Sequence, residues 1–166
     1  MSSQYVSNIN IIAFVVNRKI LLIMMPANIL VTSLDRGRVL ELIDRASLRG
    51  PIAPASPAGR LSQALRAAVV VAPADIPRQV ATLHSKVIYR TGRNSQTTQV
   101  QTVTLVPPSA ADPVLGRESV LSPTGSALLG LTEGQSVEQP DDAGCIRRYT
   151  LLKVIFQPEA AGRFDL

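Results

Sequence analysis

Few residues in this sequence have the types and spacings that catalysis or metal binding requires. His84 is the only histidine, and no HxxxH or HxxE spacing surrounds it, so an exposed strand residue is a better interpretation than a general base or metal ligand. Cys145 is the only cysteine, which excludes an internal disulfide and a multi-cysteine metal site. Arg147 and Arg148 follow it, but an inert thiol is favoured over a catalytic thiolate.

Asp141 and Asp142 form an adjacent pair of carboxylates. Such a pair can bind a metal ion, yet Pro140-Asp-Asp-Ala-Gly144 has the ordinary composition of a turn, and the turn is favoured. Neither a Walker nor a Rossmann glycine spacing is present, and no set of nucleophile, base and orienting group can be assembled. The residues alone therefore predict a binding module that is not an enzyme and that uses no metal or cofactor.

The glycine-rich stretch LSPTGSALLGLTEGQ, at residues 121–135, is the strongest candidate for a functional surface. Its composition predicts a short helix that is capped by Ser122, begins at Pro123 and ends at Gly130 or Gly134. The functional interpretation adds that the Ser-Pro-Thr corner is exposed and rigid. Docking of a partner on a rigid corner costs little ordering entropy.

Two helices are predicted ahead of this stretch. Apolar residues recur at helical spacing over about 34–47, after the Thr32-Ser33-Leu34-Asp35 spacing of a helix start. A break at 48–56 precedes a second helix, which begins at Pro57 and carries an apolar stripe as far as Val69. Helices joined by so short a break are expected to pack as an antiparallel hairpin, or short coiled coil.

The apolar period changes to two after a proline-containing linker at 72–79. Within 82–90 the alternate residues that share the apolar face are Leu83, Ser85, Val87 and Tyr89. Further strands are predicted at 99–106, at 118–121, and in a closing hairpin at 135–138 and 146–156. Helices first and antiparallel strands later indicate an α+β fold in two parts.

The chain carries a net charge of +5 on 166 residues, of which 46% are hydrophobic and 17% charged, as in a folded protein. The basic excess is thinly spread, because residues 78–166 hold nine basic and eight acidic side chains and no basic run exceeds a pair. Proteins that bind nucleic acid through phosphates usually concentrate their basic residues. We therefore expect no direct sequence-specific binding of nucleic acid.

The apolar N-terminal stretch is interrupted at Asn17-Arg18-Lys19 and stops at Pro26. Neither half reaches the roughly 20 residues that a membrane-spanning helix needs. Met24 or Met25 is expected to be the true start, which makes residues 1–24 a non-native or disordered extension. A membrane anchor over 9–25 is the minority alternative.

Three stretches carry a family resemblance: VVAPADIPRQVATLHSKVIYR at 70–90, ESVLSPTGSALLGLTEGQSV at 118–137 and IFQPEAAG at 155–162. They resemble the regulator of nucleoside diphosphate kinase family, the short-hairpin branch of the Gre (GreA/GreB) transcript-cleavage factor superfamily. The resemblance implies a helical hairpin domain at 25–77. It also implies an FKBP-like domain at 78–166, an antiparallel sheet with one short helix.

The resemblance further implies that the C-terminal domain binds RNA polymerase near the secondary channel. The contact residues carried over are Leu121, Ser122, Pro123, Thr124 and Gly125. In Gre factors a long hairpin then reaches the active centre, where an acidic pair at its tip helps to hold the catalytic Mg²⁺. Gre proteins often have an acidic or polar residue at the position of Leu121, so a weaker or more apolar contact is expected here.

The tip region 47–57, SLRGPIAPASP, contains no Asp or Glu, and the predicted helices are only about 20 Å long. We expect a cytoplasmic monomer that docks on polymerase without stimulating transcript cleavage and competes with Gre factors. Direct or indirect regulation of nucleoside diphosphate kinase is the alternative. Prolyl isomerase activity ranks below both, because the Gre superfamily lacks it.

Relatives also tend to place charged residues where AAVVVAP stands at 67–73, so different packing of the second helix is expected.

Overall fold

The computed structural model describes residues 14–16, 19–21, 29–93 and 98–165. Strand β1 (Phe14–Val16) pairs antiparallel with β2 (Lys19–Leu21). The predicted start at Met24 or Met25 and most of the predicted N-terminal extension lie outside the described residues. No helix in the described part of the chain is long and apolar enough to cross a membrane.

The helical part comprises β3 (Leu30–Thr32), α1 (Ser33–Ser47), α2 (Pro57–Ala67) and β4 (Val69–Val71). Both predicted helix starts are confirmed. The side chain of Thr32 accepts a hydrogen bond from the Asp35 N–H at 3.0 Å, and the side chain of Ser56 accepts one from the Gly59 N–H at 3.1 Å. These caps satisfy backbone donors that a helix leaves free in its first turn.

The end of the second helix differs from the prediction. Helix α2 stops at Ala67, so the apolar stripe expected to reach Val69 is wrong in its last residues. Ala68 is extended, with φ −66° and ψ 149°, and β4 pairs in parallel with β3 in the register Leu30↔Val69. Three consecutive valines prefer a pleated strand because β-branched side chains lose rotamer freedom in a helix. The coiled-coil packing of α1 and α2 stays a prediction.

The second part is a five-stranded sheet built from β5 (Lys86–Gly92), β6 (Thr98–Val106), β7 (Arg117–Ser119), β8 (Ser136–Pro140) and β9 (Ile146–Phe156). The strand order is β7-β6-β5-β9-β8. Helix α3 (Pro123–Leu128) lies between β7 and β8 in the sequence. The coarse α+β prediction is confirmed, and the FKBP-like assignment stays a prediction.

One pairing corrects the expected antiparallel sheet, because β7 runs parallel to β6 in the register Thr104↔Arg117. The chain makes two short 3₁₀ turns between these strands, at Pro108–Ala110 and Pro113–Leu115. This connection carries the chain back before it enters β7, so both strands run in one direction. A parallel pair needs such a crossover, whereas a tight hairpin gives an antiparallel one.

The two faces of the sheet have different environments. On β5 the predicted alternation is confirmed, because Val87 and Tyr89 are buried whereas Lys86 and Arg90 are exposed. We call the side with Val87 and Tyr89 the inner face and the opposite side the outer face. All three helices contribute buried residues to the cluster on the inner face, and its largest fully buried members include Val39, Leu61, Leu65, Leu105, Leu128 and Leu151. The helical part and the sheet therefore share one aliphatic core.

Asp35 joins the helical part to the segment that leads into the sheet. Its side-chain oxygen Oδ2 accepts a hydrogen bond from the Leu83 N–H at 2.9 Å. The residue is only 2% exposed, so this carboxyl group is almost completely removed from water. Burial raises the pKa of this carboxyl group from 3.8 to about 6, the Leu83 N–H opposes the rise, and the negative charge of Glu159 adds to it. Removal of water destabilises the charged form more than one backbone donor stabilises it.

The raised pKa of Asp35 makes the stability of the folded protein depend on pH. Because the folded pKa of about 6 lies above the ordinary value of 3.8, the folded state binds the proton more tightly, and the stability from this group falls as the pH rises through this window. The free energy of unfolding of the wild type relative to Asp35→Asn should fall by about 2 kcal/mol between pH 4 and pH 7. Urea unfolding of both proteins measures this.

The difference between the wild type and Asp35→Asn removes the contribution of the other titrating groups. One of these is His84, whose lowered pKa makes stability rise with pH. Both proteins contain those groups, so their contributions cancel in the difference. A wild-type minus variant difference that is independent of pH would contradict the role given to Asp35.

Candidate functional site

The Ser122–Gly125 corner is held by hydrogen bonds at the start of α3. Ser122 is the cap, as predicted, and its side-chain oxygen accepts from the Gly125 N–H at 3.0 Å. The same hydroxyl donates to the carboxylate of Glu118, just after β7 begins. Pro123 fixes the first helical residue, because its ring restricts φ. The hydroxyl of Ser122 is therefore occupied by interactions within the chain.

Gly125 allows α3 to approach the preceding turn. A Cβ atom at this position would lie 2.0 Å from the Ser119 carbonyl oxygen and 2.8 Å from the Val120 Cα. Real Cβ contacts do not reach such distances, so only glycine fits without movement of the backbone. Gly125 is buried, and the structure gives it a packing role at the predicted contact surface.

The other candidate residues are less accessible than the sequence suggested. Leu121, Ser122, Pro123 and Thr124 are each half-buried, so the Ser-Pro-Thr corner is less exposed than expected. Leu121 packs against the shared core. A partner can therefore reach only part of each of these four residues.

A cleft of about 430 Å³ opens beside this corner, between the start of α3 and the inner face of the sheet. Residues from β5, β6 and β9 and from the turn after β8 form its walls. The lining side chains that can donate or accept hydrogen bonds include Tyr89, Thr91, Gln99, Gln101, Thr124, Arg147 and Tyr149. The corner and the cleft therefore form one continuous surface.

Two tyrosines form the floor of the cleft. The rings of Tyr89 and Tyr149 stack at a centroid distance of 6.5 Å with 29° between their planes. The Tyr89 hydroxyl donates to Gln101 Oε1 at 2.6 Å. Burial is the main cause that raises the pKa of Tyr89 to about 12 and also raises that of Tyr149. Both phenols thus remain neutral hydrogen-bonding groups at physiological pH.

Thr91 contributes an unused polar group to the same cleft. Its hydroxyl oxygen has no hydrogen-bond partner among the described residues, and the residue is only 7% exposed. A buried hydroxyl without a partner costs free energy in the unbound protein.

The acidic pair at 141–142 is a turn, as the sequence indicated. The side chain of Asp141 accepts from the N–H groups of Ala143 and Cys145 at 3.0 and 2.9 Å, and from Arg147 Nε at 2.7 Å. The bond from Arg147 is the largest cause that lowers the pKa of Asp141 to about 2. The described residues contain no group of three or more His, Cys, Asp or Glu side chains that could hold a metal ion.

His84 differs from its predicted environment. It precedes β5 in a left-handed conformation, φ 63°, and it is half-buried rather than exposed. Its backbone N–H donates to the Leu105 carbonyl at 2.7 Å. The side chain lines a second cleft of about 300 Å³ together with Arg38 and Glu41 of α1. Cys145 is a free, half-buried thiol in the closing turn.

Comparison with known proteins connects this architecture to a family. Residues 76–156 match the family described as transcription elongation factor, GreA/GreB, C-terminal. The proteins named regulator of nucleoside diphosphate kinase from Escherichia coli K12 and Shigella flexneri are each 33% identical over 139 residues, which cover 83% of this chain and 96% of theirs. The chain belongs to the GreA/GreB family.

A solved structure supports this membership. The prokaryotic transcription elongation factor GreA/GreB from Nitrosomonas europaea superposes with a TM-score of 0.57 at 31% identity. The match covers 78% of this chain and 98% of that one. The similarity thus extends over most of this chain and nearly all of that structure.

For this GreA/GreB family member, the connection between α1 and α2 is the other region of interest. It spans residues 48–56, and its residues are exposed or half-buried. No carboxylate occurs within 47–57, as the sequence showed. The nearest preceding carboxylate is Asp44 in the last turn of α1, which has no acidic neighbour in sequence.

Sequence reasoning identified the corner but missed the cleft. The alternation in β5 placed Tyr89 on the inner face, where it was assigned to the core, and Thr91 continues that alternation. Tyr149 on β9 follows the same rule. A polar or aromatic residue at an inward position on two strands is the signal that could have revealed this cleft.

Gly125 in α3 and Gly37 in α1 provide a stability test of the corner. Gly125→Ala should lower the free energy of unfolding by about 3 kcal/mol, because the added methyl group collides with backbone atoms. Gly37→Ala in α1 should raise it by about 0.5–1 kcal/mol, because nothing lies within 4 Å and alanine favours the helix. Chemical denaturation of both variants checks this, and equal effects would contradict the packing role of Gly125.

Proposed function

We propose that this protein regulates transcription elongation by binding RNA polymerase near the secondary channel through the Ser122–Thr124 corner and the adjoining cleft. Membership of the GreA/GreB family supports the choice of partner. The chemistry of the surface supports the choice of site. The cap, the proline and the close contact at Gly125 fix the corner before binding, so its docking costs little conformational entropy.

The cleft supplies the specificity of this proposed contact. Neutral tyrosine hydroxyls and two glutamine amides favour a partner segment that presents several polar groups. Aromatic side chains that combine a large apolar surface with a polar end are common at the energetic centres of protein interfaces. Tyr89 and Tyr149 meet this description at the floor of the cleft.

The bound protein does not stimulate transcript cleavage in this proposal, and the helix connection is the observation that carries it. Helix α1 has 15 residues and α2 has 11, which correspond to lengths of about 22 and 16 Å. The connection carries no carboxylate to hold a hard cation such as Mg²⁺. A protein that occupies the docking surface without delivering carboxylates competes with Gre factors that deliver them.

Capture of core RNA polymerase by the purified chain tests the docking surface. The double variant Pro123→Ala, Thr124→Ala removes outward atoms but keeps the Ser122 cap. It should weaken capture at least tenfold, or about 1.4 kcal/mol. Pro57→Ala is the matched control, because Pro57 occupies the same first position of α2 after a serine cap. Equal loss in both variants, or no capture by the wild type, would contradict the proposal.

A transcript-cleavage assay tests the second half of the proposal. Addition of the wild-type protein to backtracked complexes should leave the cleavage rate at its intrinsic value. When a Gre factor is also present, the protein should slow the stimulated cleavage in a concentration-dependent way. The double corner variant should lose this inhibition. Faster cleavage with the protein alone would rule out the competitor role.

Regulation of nucleoside diphosphate kinase is a second candidate function. It is favoured by the name of the relatives that are 33% identical over 83% of this chain. Co-sedimentation of the purified protein with the purified kinase distinguishes a direct contact from an effect on kinase expression. A complex of defined stoichiometry would support the direct route, and separate sedimentation would leave only the indirect one.

A further inference from the structure

The outer face of the five-stranded sheet has no assigned role. The three α-helices add their buried residues to the core on the inner face, and in the described part of the chain none of them covers the outer face. The strand registers identify its residues. Lys86, Ile88 and Arg90 of β5 lie opposite Thr104, Thr102 and Val100 of β6, respectively. This face lies on the opposite side of the sheet from the cleft.

Basic residues are concentrated on the outer face of the sheet. Five of the nine basic residues in 78–166 lie on strands with side chains assigned by register to the outer face: Lys86, Arg90, Arg117, Arg148 and Lys153. Glu138 is the one carboxylate among the described strand residues assigned to it, and it pairs with Arg148 at 2.7 Å. The cleft side is mixed, because Glu118, Asp141 and Asp142 line the cleft together with Arg93 and Arg147. A nearly balanced sequence therefore folds into a strongly basic surface.

Four of these cations are available to a partner. Lys86, Arg90, Arg117 and Lys153 are exposed, and no carboxylate of the described residues lies within ion-pair distance of them. Lys86 and Arg90 are four residues apart on β5, a separation of about 13 Å, and Arg117 lies two strands from Lys86, about 10 Å away. The surface thus presents separate positive charges over an area of about 10 by 13 Å.

We propose that the outer face binds single-stranded RNA without sequence specificity. The cations match the phosphates of a polyanion. Exposed apolar side chains lie opposite two of them, with Phe156 at 41% and Val100 at 63% exposure. Unpaired bases can pack on such side chains, whereas the paired bases of a duplex are stacked inside the helix. Hydroxyl groups of Thr102 and Thr104 lie in the same rows and can donate to or accept from ribose hydroxyls.

The proposal does not depend on polymerase binding, because the corner and the cleft lie on the inner side. It is also consistent with the expectation of no sequence-specific recognition, since phosphates and base faces are common to all sequences. The strands keep the cations in fixed positions, whereas the flexible single strand adapts to their spacing.

Fluorescence polarisation with a labelled 20-nucleotide uridine RNA and the full chain tests this proposal. Four phosphate contacts on a single strand should give a slope of about −3 in a plot of log K against log salt. The triple variant Lys86→Gln, Arg90→Gln, Lys153→Gln should bind at least tenfold more weakly, with a slope of about −1. The matched control Arg49→Gln, Arg66→Gln, Arg78→Gln removes three exposed charges elsewhere and should retain the affinity and the slope.

Circular dichroism and thermal unfolding should show both triple variants folded, because all six positions are exposed. Equal weakening by the two triple variants would overturn the proposal in favour of diffuse charge attraction. Equal or tighter binding of duplex DNA, single-stranded DNA or a polyglutamate peptide would overturn the assignment to RNA. Polymerase capture by the outer-face variant should match the wild type, which separates failure here from failure of the docking proposal.

Discussion

The structure depends on the attachment of the helical part to the sheet, which is achieved by backbone hydrogen bonds and one buried carboxylate. Gly130 accepts from the Leu30 N–H at 3.0 Å and donates to the Ala81 carbonyl at 2.8 Å, so one residue connects β3 with the segment before β5. Its φ is 80°, and a Cβ atom at this position would lie 2.8 Å from the Ile29 Cβ, so glycine is required. Asp35 adds a side-chain acceptor at the same junction. Without these bonds, buried backbone groups of both parts would lack partners.

The corner and the cleft follow from this attachment. Helix α3 leads directly to Gly130, so the hydrogen bonds that fix Gly130 also fix the end of α3 and, through it, the corner at its start. The other wall of the cleft comes from strands whose inward tyrosines stack below the corner. The surface of the proposed contact is therefore made by elements that the core already holds, and none of it depends on a long unsupported loop.

Local sequence signals were sufficient for much of this architecture. Thr32, Ser56 and Ser122 each cap a helix as predicted, because a cap needs only residues within one turn. The alternation in β5 likewise reflects the neighbours of each residue along the strand. Features that depend on distant pairings were not accessible in this way. The parallel pairing of β7, the strand at 69–71 and the contact of Asp35 with Leu83 all join segments far apart in the sequence.

The candidate site shows the same division. Ser122 and Pro123 were found from composition, whereas the cleft required knowledge of which strands are adjacent. The basic outer face was hidden for a related reason, because the residues that form it are spread over 86–153 among acidic ones and only the strand register shows which of them share a face. Net charge per segment carries no information about the direction of a side chain.

The shared core also determines how the molecule behaves mechanically. Val39 of α1 and Leu61 of α2 are fully buried in the same cluster as Val87 and Leu151 of the sheet, so the helical part cannot pivot without opening that cluster. A surface that holds the sheet therefore also sets the direction in which the helices point. The helical part and the sheet therefore move as one rigid unit. When a partner binds the sheet, the orientation of the helices is already fixed.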